Sequence, residues 1–283
     1  IIGQMLLSII VLVIVGTAST STILFAGMAL VGLLAVVTQT LVAFAASMAA
    51  PAERGRVVGI VTSGIVIGIL LARSFAGILT DVAGWRSVYL VSAALMLFMV
   101  CMFFRVLPNV EREVKSLSYP KLLRSVLILF KQERILRIRS VLALLIFADF
   151  SILWTSLVLP LSTPPFSLSH SAIGALGLVG VAGALSAARA GKLADRGYGQ
   201  RTTGIALILL LISWFFISYT EQSLFALVIG IVLLDLAVQA IHVTNQTMIL
   251  PLRPEARSRI TAGYMVFYSI GSASGSIAST QMY

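Results

Sequence analysis

The chain is a succession of apolar runs, each about long enough to cross a lipid bilayer as a helix. Nine can be marked, roughly 1–19, 23–50, 57–80, 87–107, 139–161, 171–190, 203–219, 223–250 and 257–279, and we call them spans A to I. Stretches of about 18 or more apolar residues read as spanning helices. Their apolar character is continuous and not alternating, which favours helices over a barrel. The turns between them are short, as packed antiparallel helices allow. The expected fold class is all-α, a polytopic membrane helix bundle. A chain that is 59% hydrophobic and 11% charged, with mean hydropathy +1.05, would expose too much apolar surface to stay dissolved.

The net charge of +10 raises nucleic acid as a partner, but the bases are gathered in a few loops. One set of alternate loops holds Arg54 and Arg56, the bases from Arg105 to Arg139, Lys192, Arg196 and Arg201, and Arg253, Arg257 and Arg259. That set carries 17 of the 20 Lys and Arg residues, whereas the opposite loops hold only Arg86. Cytoplasmic loops attract bases, so the first set is assigned to the cytoplasm and nucleic acid is set aside. The single cysteine, Cys101, lies in an apolar run and excludes an internal disulfide framework. It is expected to be a small core residue. Ile1 already lies inside an apolar run, so the chain is read as a fragment that starts within a helix.

Two loops of like orientation resemble each other. Pro51-Ala52-Glu53-Arg54-Gly55-Arg56 follows span B, and Pro254-Glu255-Ala256-Arg257-Ser258-Arg259 follows span H, six spans later. A transporter built from two similar halves shows such a repeat. The expected halves are residues 1–107 and 139–283, joined by a cytoplasmic linker over 108–138. After Pro120, a residue suited to a helix start, Leu122, Leu123, Val126, Leu127 and Phe130 fall on one helical face. Lys121, Arg124 and Lys131 largely face away. This predicts either a helix lying on the inner membrane surface or a solvated linker with some helix.

Between spans F and G the chain turns through Gly191-Lys192-Leu193-Ala194-Asp195-Arg196-Gly197-Tyr198-Gly199-Gln200-Arg201. Span F has Gly, Ala or Ser at 13 of its 20 positions. This loop resembles the signature loop of the major facilitator superfamily of transporters, approximately Gly-x-Leu-Ala-Asp-Arg-x-Gly-Arg-Arg. Gly191, Leu193, Ala194, Asp195 and Arg196 match in place. Two residues, Gly197 and Tyr198, stand where one is expected, and Gln200 replaces a base. The stretch from Gly68 through Ala72, Arg73, Gly77, Leu79 and Asp81 to Gly84-Trp85-Arg86 resembles the same helix in bacterial drug and sugar efflux members. The Gly-Pro step of the antiporter motif is absent. Trp85 also suits an interfacial anchor.

The resemblance implies a twelve-span fold of two six-span halves, with two spans missing before Ile1 and one after Tyr283. It implies that Asp195 approaches the start of span I and Arg257 or Arg259, with Arg196 and Arg201 nearby, as a cytoplasmic latch. A carboxylate favours a helix N-terminus and a guanidinium fork, and an ordinary turn whose bases only set topology is the alternative. Small residues at Gly64, Gly68, Ala72 and Ala76 form a ridge on span C, and Gly177 and Gly180 lie on the small span F. In the family these helices meet between the halves, where close contact lets them rock.

Polar groups inside the spans are the candidate solute and proton pathway. Asp235, Gln239, His242 and Gln246 fall within an arc of roughly 60° on span H. Asp235 and His242 can change protonation state. Asn245 and Thr244 point off this line. Asp149 in span E and Arg73 in span C are further charges at depth, and a pair between them is one option. Gln39 adds a hydrogen-bonding group, and Trp154 an aromatic wall for an organic solute.

The function expected is secondary active transport, by export of a drug-like or sugar-like solute in exchange for protons. Uptake by symport and an inactive truncated transporter are the alternatives. An intramembrane enzyme is a remote one, using His242 with Asp235 or a serine of Gly271-Ser272-Ala273-Ser274-Gly275. Gly271, Gly275 and Ser279, four apart, read better as helix packing. No cofactor, metal site or ATP loop is expected. The expected setting is the bacterial inner membrane, with a small solute, protons and lipid as partners and a monomeric assembly.

Overall fold

The computed structural model describes residues 2–35, 41, 44, 54–106, 119–180 and 189–281. Among them the regular structure is helical, with no strand. The helices are α1 (Ile2–Gly16), α2 (Ser21–Leu34), α3 (Arg54–Ala83), α4 (Trp85–Val106), α5 (Tyr119–Gln132), α6 (Arg134–Ser156), α7 (Val158–Ser162), α8 (His170–Val179), α9 (Gly199–Ile217), α10 (Leu224–Ile249) and α11 (Arg257–Gln281). Each marked span has a helix in it, with α7 continuing α6 through span E. Among the described residues, Trp85–Arg105, Arg134–Ser162, Arg196–Ile217 and Leu224–Ile249 are each long and apolar enough to cross a membrane.

Local sequence explains several helix ends. Thr20 and Ser223 are N-caps whose hydroxyls accept the Ile23 and Ala226 amides at 3.4 and 3.3 Å. Gly84 breaks α3 from α4 at φ +76°, a conformation that favours glycine. Just beyond it, Arg86 donates from Nη2 to the Ala18 carbonyl at 3.1 Å, tying the α4 start to the chain after α1. Its guanidinium also lies 4.6 Å from the Trp85 ring centroid.

The chain forms two compact units. One comprises Ile1–Glu113 with Ser169–Gly177, the other Val114–Leu168 with Leu178–Tyr283. In the first, α1 packs against α2 and α4 around the fully buried Val15. In the second, α6 runs along α11, α9 along α10, and α10 against α6. The α6–α11 seam explains why span I is rich in Gly and Ser. A Cβ at Gly271 or Gly275 would collide with the Leu144 or Ala148 carbonyl. Ser151 pairs with Ser272 at 2.7 Å, Thr155 with Ser276 at 3.0 Å, and Ser279 donates to the Ile152 carbonyl at 3.3 Å. Small residues with interhelical hydroxyl bonds hold membrane helices together where lipid supplies no hydrophobic contrast. Of the serines in 271–275, Ser272 is thereby given a packing role, while Ser274 bonds the Gly271 carbonyl of its own helix.

Outward faces carry large apolar side chains, with Leu211 and Phe225 about three-quarters exposed. Such surface suits the acyl chains of a bilayer. Cys101 is on this outer side. It is exposed, not a core residue, because it faces away from the packing surface of α4.

Candidate functional site

The polar stripe of span H lies on α10. Asp235 is buried at 5% exposure, whereas Gln239, His242 and Gln246 are half-buried. His242 has a partner on each ring nitrogen: Tyr264 Oη at 3.0 Å from Nδ1, and Gln246 Nε2 at 3.1 Å from Nε2. With the Gln246 amide donating to Nε2, the ring proton lies on Nδ1 and is donated to Tyr264 Oη. Aromatic rings enclose the imidazole. Phe147 meets it edge-on at 5.1 Å, and the Tyr264 and Tyr268 centroids lie at 5.6 and 6.1 Å.

A second group continues from Tyr264. Asn245 Nδ2 donates to Tyr264 Oη at 3.4 Å and to the Arg139 carbonyl at 3.3 Å. Its Oδ1 accepts from Arg139 Nη1 at 3.2 Å. The same Nη1 donates to Thr203 Oγ1 at 2.6 Å, and Nη2 donates to Gln200 Oε1 at 2.8 Å. Arg139 is only 3% exposed. Its described hydrogen-bond acceptors are neutral oxygens, which spread the guanidinium charge over α9 and α10. One connected network thus runs Gln200–Arg139–Asn245–Tyr264–His242–Gln246.

Arg139, Asn245 and Tyr264 are not among the site residues that the sequence singles out. Arg139 was counted with the linker bases, but α6 begins at Arg134, so residue 139 already lies inside a packed helix. Asn245 lies 60° round α10 from His242, toward α6 instead of along the stripe. A polar pair on the two flanks of one buried helix is the signal that could have found it.

Other candidates are placed separately. Asp149 accepts from Trp214 Nε1 at 3.0 Å, so its hydrogen-bond partner is an indole of α9. Trp154 is half-buried, its ring 6.1 Å from Phe150. Gln39 lies outside the described residues.

The Gly191 loop enters from a helical turn and closes as a wide turn over Ala194–Tyr198, kinked at Gly197 with φ +86°. A wide turn absorbs one extra residue, and Gly197 supplies the positive φ. The loop sits close on α10: Cβ atoms at Gly191 and Gly199 would approach Val243 Cγ1 at 3.3 Å and Met248 Sδ at 2.8 Å. Arg196 and Arg257 are exposed, Arg259 is half-buried, and Arg201 lies 5.8 Å from the Tyr198 ring. The side chain of Asp195 lies outside the described set. A different ion pair occurs at this end, with Arg253 Nε donating to Glu133 Oε1 at 2.7 Å.

In the first unit, α3 meets α8 closely. The approach falls at Gly77, where a Cβ would collide with the His170 carbonyl, and at Gly174, where one would lie 2.6 Å from the Arg73 carbonyl. Gly177 faces the Arg73 side chain, with a built Cβ 3.0 Å from Arg73 Cβ. Gly180 is buried beyond the end of α8. Gly64, Gly68 and Ala72 are exposed, and no described heavy atom lies within 4 Å of a Cβ built at either glycine. The described close approach of α3 to α8 thus falls at Gly77, Gly174 and Gly177, while residues 181–188 of span F lie outside the described residues.

Asp81 caps α8 from the last turns of α3. Oδ1 accepts the His170 amide at 3.1 Å and faces His170 Nδ1 at 2.8 Å. Oδ2 accepts the Ser171 amide at 2.7 Å and the Ser171 hydroxyl. Asp81 lies beyond the apolar run of span C, and these bonds hold its pKa down at about 2, the Ser171 hydroxyl contributing most.

The comparisons with known proteins bear on this geometry. The Major Facilitator Superfamily model matches residues 1–276. The chain belongs to the Major Facilitator Superfamily. Relatives include the "Uncharacterized transporter YgaY" of Escherichia coli O157:H7, 46% identical over 269 residues, which are 94% of this chain and 68% of the relative. The "Probable transporter SCO4007" of Streptomyces coelicolor is 30% identical over 245 residues, 86% of this chain and 56% of its own. A solved bacterial homolog of the human lysosomal transporter Spinster, inward-facing and occupied, aligns with TM-score 0.76 at 16% identity. It is covered over 65% of its length by 98% of this chain, and it supports the fold alone. The chain is an integral membrane protein of a transporter superfamily. Gln200, which replaces a base of the superfamily loop, is here the residue that meets Arg139. Among the described residues, no group of three or more His, Cys, Asp or Glu comes together to hold a metal.

Proposed function

We propose that this chain carries most of a proton-coupled secondary transporter that exports a small organic solute from the bacterial cytoplasm by alternating access. The observation that carries the reading is His242, a titratable ring inside a bilayer-length helix, bonded on both nitrogens and walled by aromatic rings. An ionisable group at that depth is costly unless it has work to do. Binding a proton at Nε2 requires the Gln246 amide to turn its oxygen toward the ring. That turn changes the polar lining one helical turn away, and Asp235 on the same stripe is the second proton candidate. Phe147, Tyr268 and Trp154 suit the planar or apolar parts of a solute.

Export is supported by the likeness of the stretch from Gly68 to Arg86 to efflux members. The two halves, 1–107 and 139–283 with the linker between, would rock as one monomer. The α8 cap by Asp81 would act as a clasp on the outer side, and the Asp195 loop as a latch on the inner. The test is accumulation of drug-like and sugar-like solutes in everted membrane vesicles with an acidic lumen. Export predicts proton-driven accumulation that Asp235→Asn and His242→Gln each reduce. Full proton-driven transport by both variants removes the proposed sites, and solute-driven proton release in the opposite sense indicates uptake.

A further inference from the structure

We propose that the outer face of α5 is a binding site for an anionic phospholipid of the cytoplasmic leaflet. α5 divides its apolar residues between two directions. Val126 and Phe130 face α11, where a Cβ at Gly263 would lie 3.1 Å from Val126 Cγ1 and 2.6 Å from Phe130 Cε2. Phe130 also stacks on Phe267 at 5.2 Å, and Leu129 is buried in the same cluster. The helix is thus fastened to the second unit. Leu123, Leu127 and Ile128 remain 49%, 67% and 42% exposed. An apolar edge of this size on a fastened helix needs an acyl environment.

Next to that edge is a groove of about 640 Å³, lined by Arg124, Leu127, Ile128, Phe130, Lys131 and Arg137. Its floor is apolar, its charged residues are all basic, and no carboxylate lines it. The nearby Glu133 is paired with Arg253. Arg137 uses Nη1 to bind the Phe130 and Lys131 carbonyls at 2.7 and 2.8 Å, which fixes its guanidinium at the groove. Three cations over an apolar floor match a phosphodiester head above its own acyl chains. The sequence pattern alone set Arg124 and Lys131 away from the leucines. In the fold Arg124, Leu127, Ile128 and Lys131, spaced i, i+3, i+4 and i+7 on α5, line the same groove. The assignment to the inner leaflet rests on the loop charges, but the binding chemistry does not depend on the direction of transport.

The full chain is purified in a zwitterionic detergent and titrated with phosphatidylglycerol or phosphatidylcholine, reading thermal stability and retained lipid by native mass spectrometry. Phosphatidylglycerol is expected to bind and stabilise selectively. Arg124→Gln with Lys131→Gln is expected to weaken it about 25-fold, from roughly fivefold per base removed. Equal binding of the two lipids, or equal phosphatidylglycerol binding by wild type and variant, overturns the proposal. So does equal stabilisation by inorganic phosphate, which would mean a phosphate site and not a lipid site. Should that variant fail to fold, Leu127→Trp reports independently. Its added fluorescence is expected to be quenched more by brominated phosphatidylglycerol than by brominated phosphatidylcholine, and equal quenching counts against the site.

Discussion

Gln200 accepts a hydrogen bond from the buried guanidinium of Arg139 at 2.8 Å. The position that departs from the superfamily loop is therefore in contact with a charge inside the bundle. A base there would face a like charge with no described carboxylate between them. Gln200→Arg is expected to lower the melting temperature in detergent, and further than Gln200→Ala, since a second cation beside a buried guanidinium repels it even with residue 200 itself exposed. Equal melting of the two variants would show that Arg139 is not held by residue 200.

Thr203 gives the shorter bond to the same guanidinium, at 2.6 Å, and is itself buried. Thr203→Val keeps the shape and removes the acceptor. A lost hydrogen bond to a buried charge costs about 1.5–3 kcal/mol. The matching double change with Arg139→Met is expected to recover part of that loss, because no charge is then left short of acceptors. A double-mutant cycle of thermal melts measures the coupling, and strict additivity would separate the two residues.

How much of this was legible in the sequence depended on which force decided each position. Helix existence was readable at every span, because a bilayer leaves a continuous apolar run only one way to satisfy its backbone. The α10 stripe was readable in part. Helical periodicity aligned His242 with Gln246, but it could not say that Tyr264 of α11 would meet that ring. Arg139 was hidden by a boundary: charge counting treats a base near a helix end as loop, and only the packed start of α6 shows it buried. Small residues announced close packing without its register, and among the described residues α3 comes closest to α8 at Gly77. Register is decided by the partner helix, which one sequence segment does not contain.

Tyr264 joins His242 to Asn245 and is itself fully buried. Tyr264→Phe preserves the ring and removes only Oη, leaving two donors without that acceptor. A loss of about 1–3 kcal/mol is expected for an unsatisfied buried group. If His242 handles protons, the variant should also shift the pH profile of transport, whereas a merely structural Tyr264 would lower stability and leave the profile in place.

Gly271 and Gly275 let α11 touch the α6 backbone. Alanine at either position forces the helices apart or the backbone aside, and overpacking costs typically about 1–3 kcal/mol. Gly271→Ala and Gly275→Ala are each expected to lower the melting temperature. Gly204→Ala, with no described atom within 4 Å of its built Cβ, is the control and should be neutral or slightly stabilising. Similar melting of all three would show that the α6–α11 seam is looser than the structure has it.

Asp81 sets a pH dependence whose direction follows from its bonds. Its ordinary pKa of 3.8 is lowered to about 2 by the Ser171 hydroxyl, then the Ser171 amide, with His170 adding to them. A group with a depressed native pKa contributes stability that is present in full above its unfolded value and is lost as pH falls through its folded value. As far as Asp81 is concerned, the cap on α8 should be intact from neutral pH down to roughly 4 and should weaken from there toward 2. Hydrogen exchange at the His170 and Ser171 amides, corrected for intrinsic rates, reads this directly, because both amides donate to the carboxylate. Protection is expected to be flat through the neutral range and to fall only in that acid window. Asp81→Asn keeps one acceptor oxygen but loses the charge, so it should reduce protection at every pH and abolish the acid step. An acid step of unchanged size in Asp81→Asn would assign the transition to another group and leave Asp81 as a passive neighbour of α8.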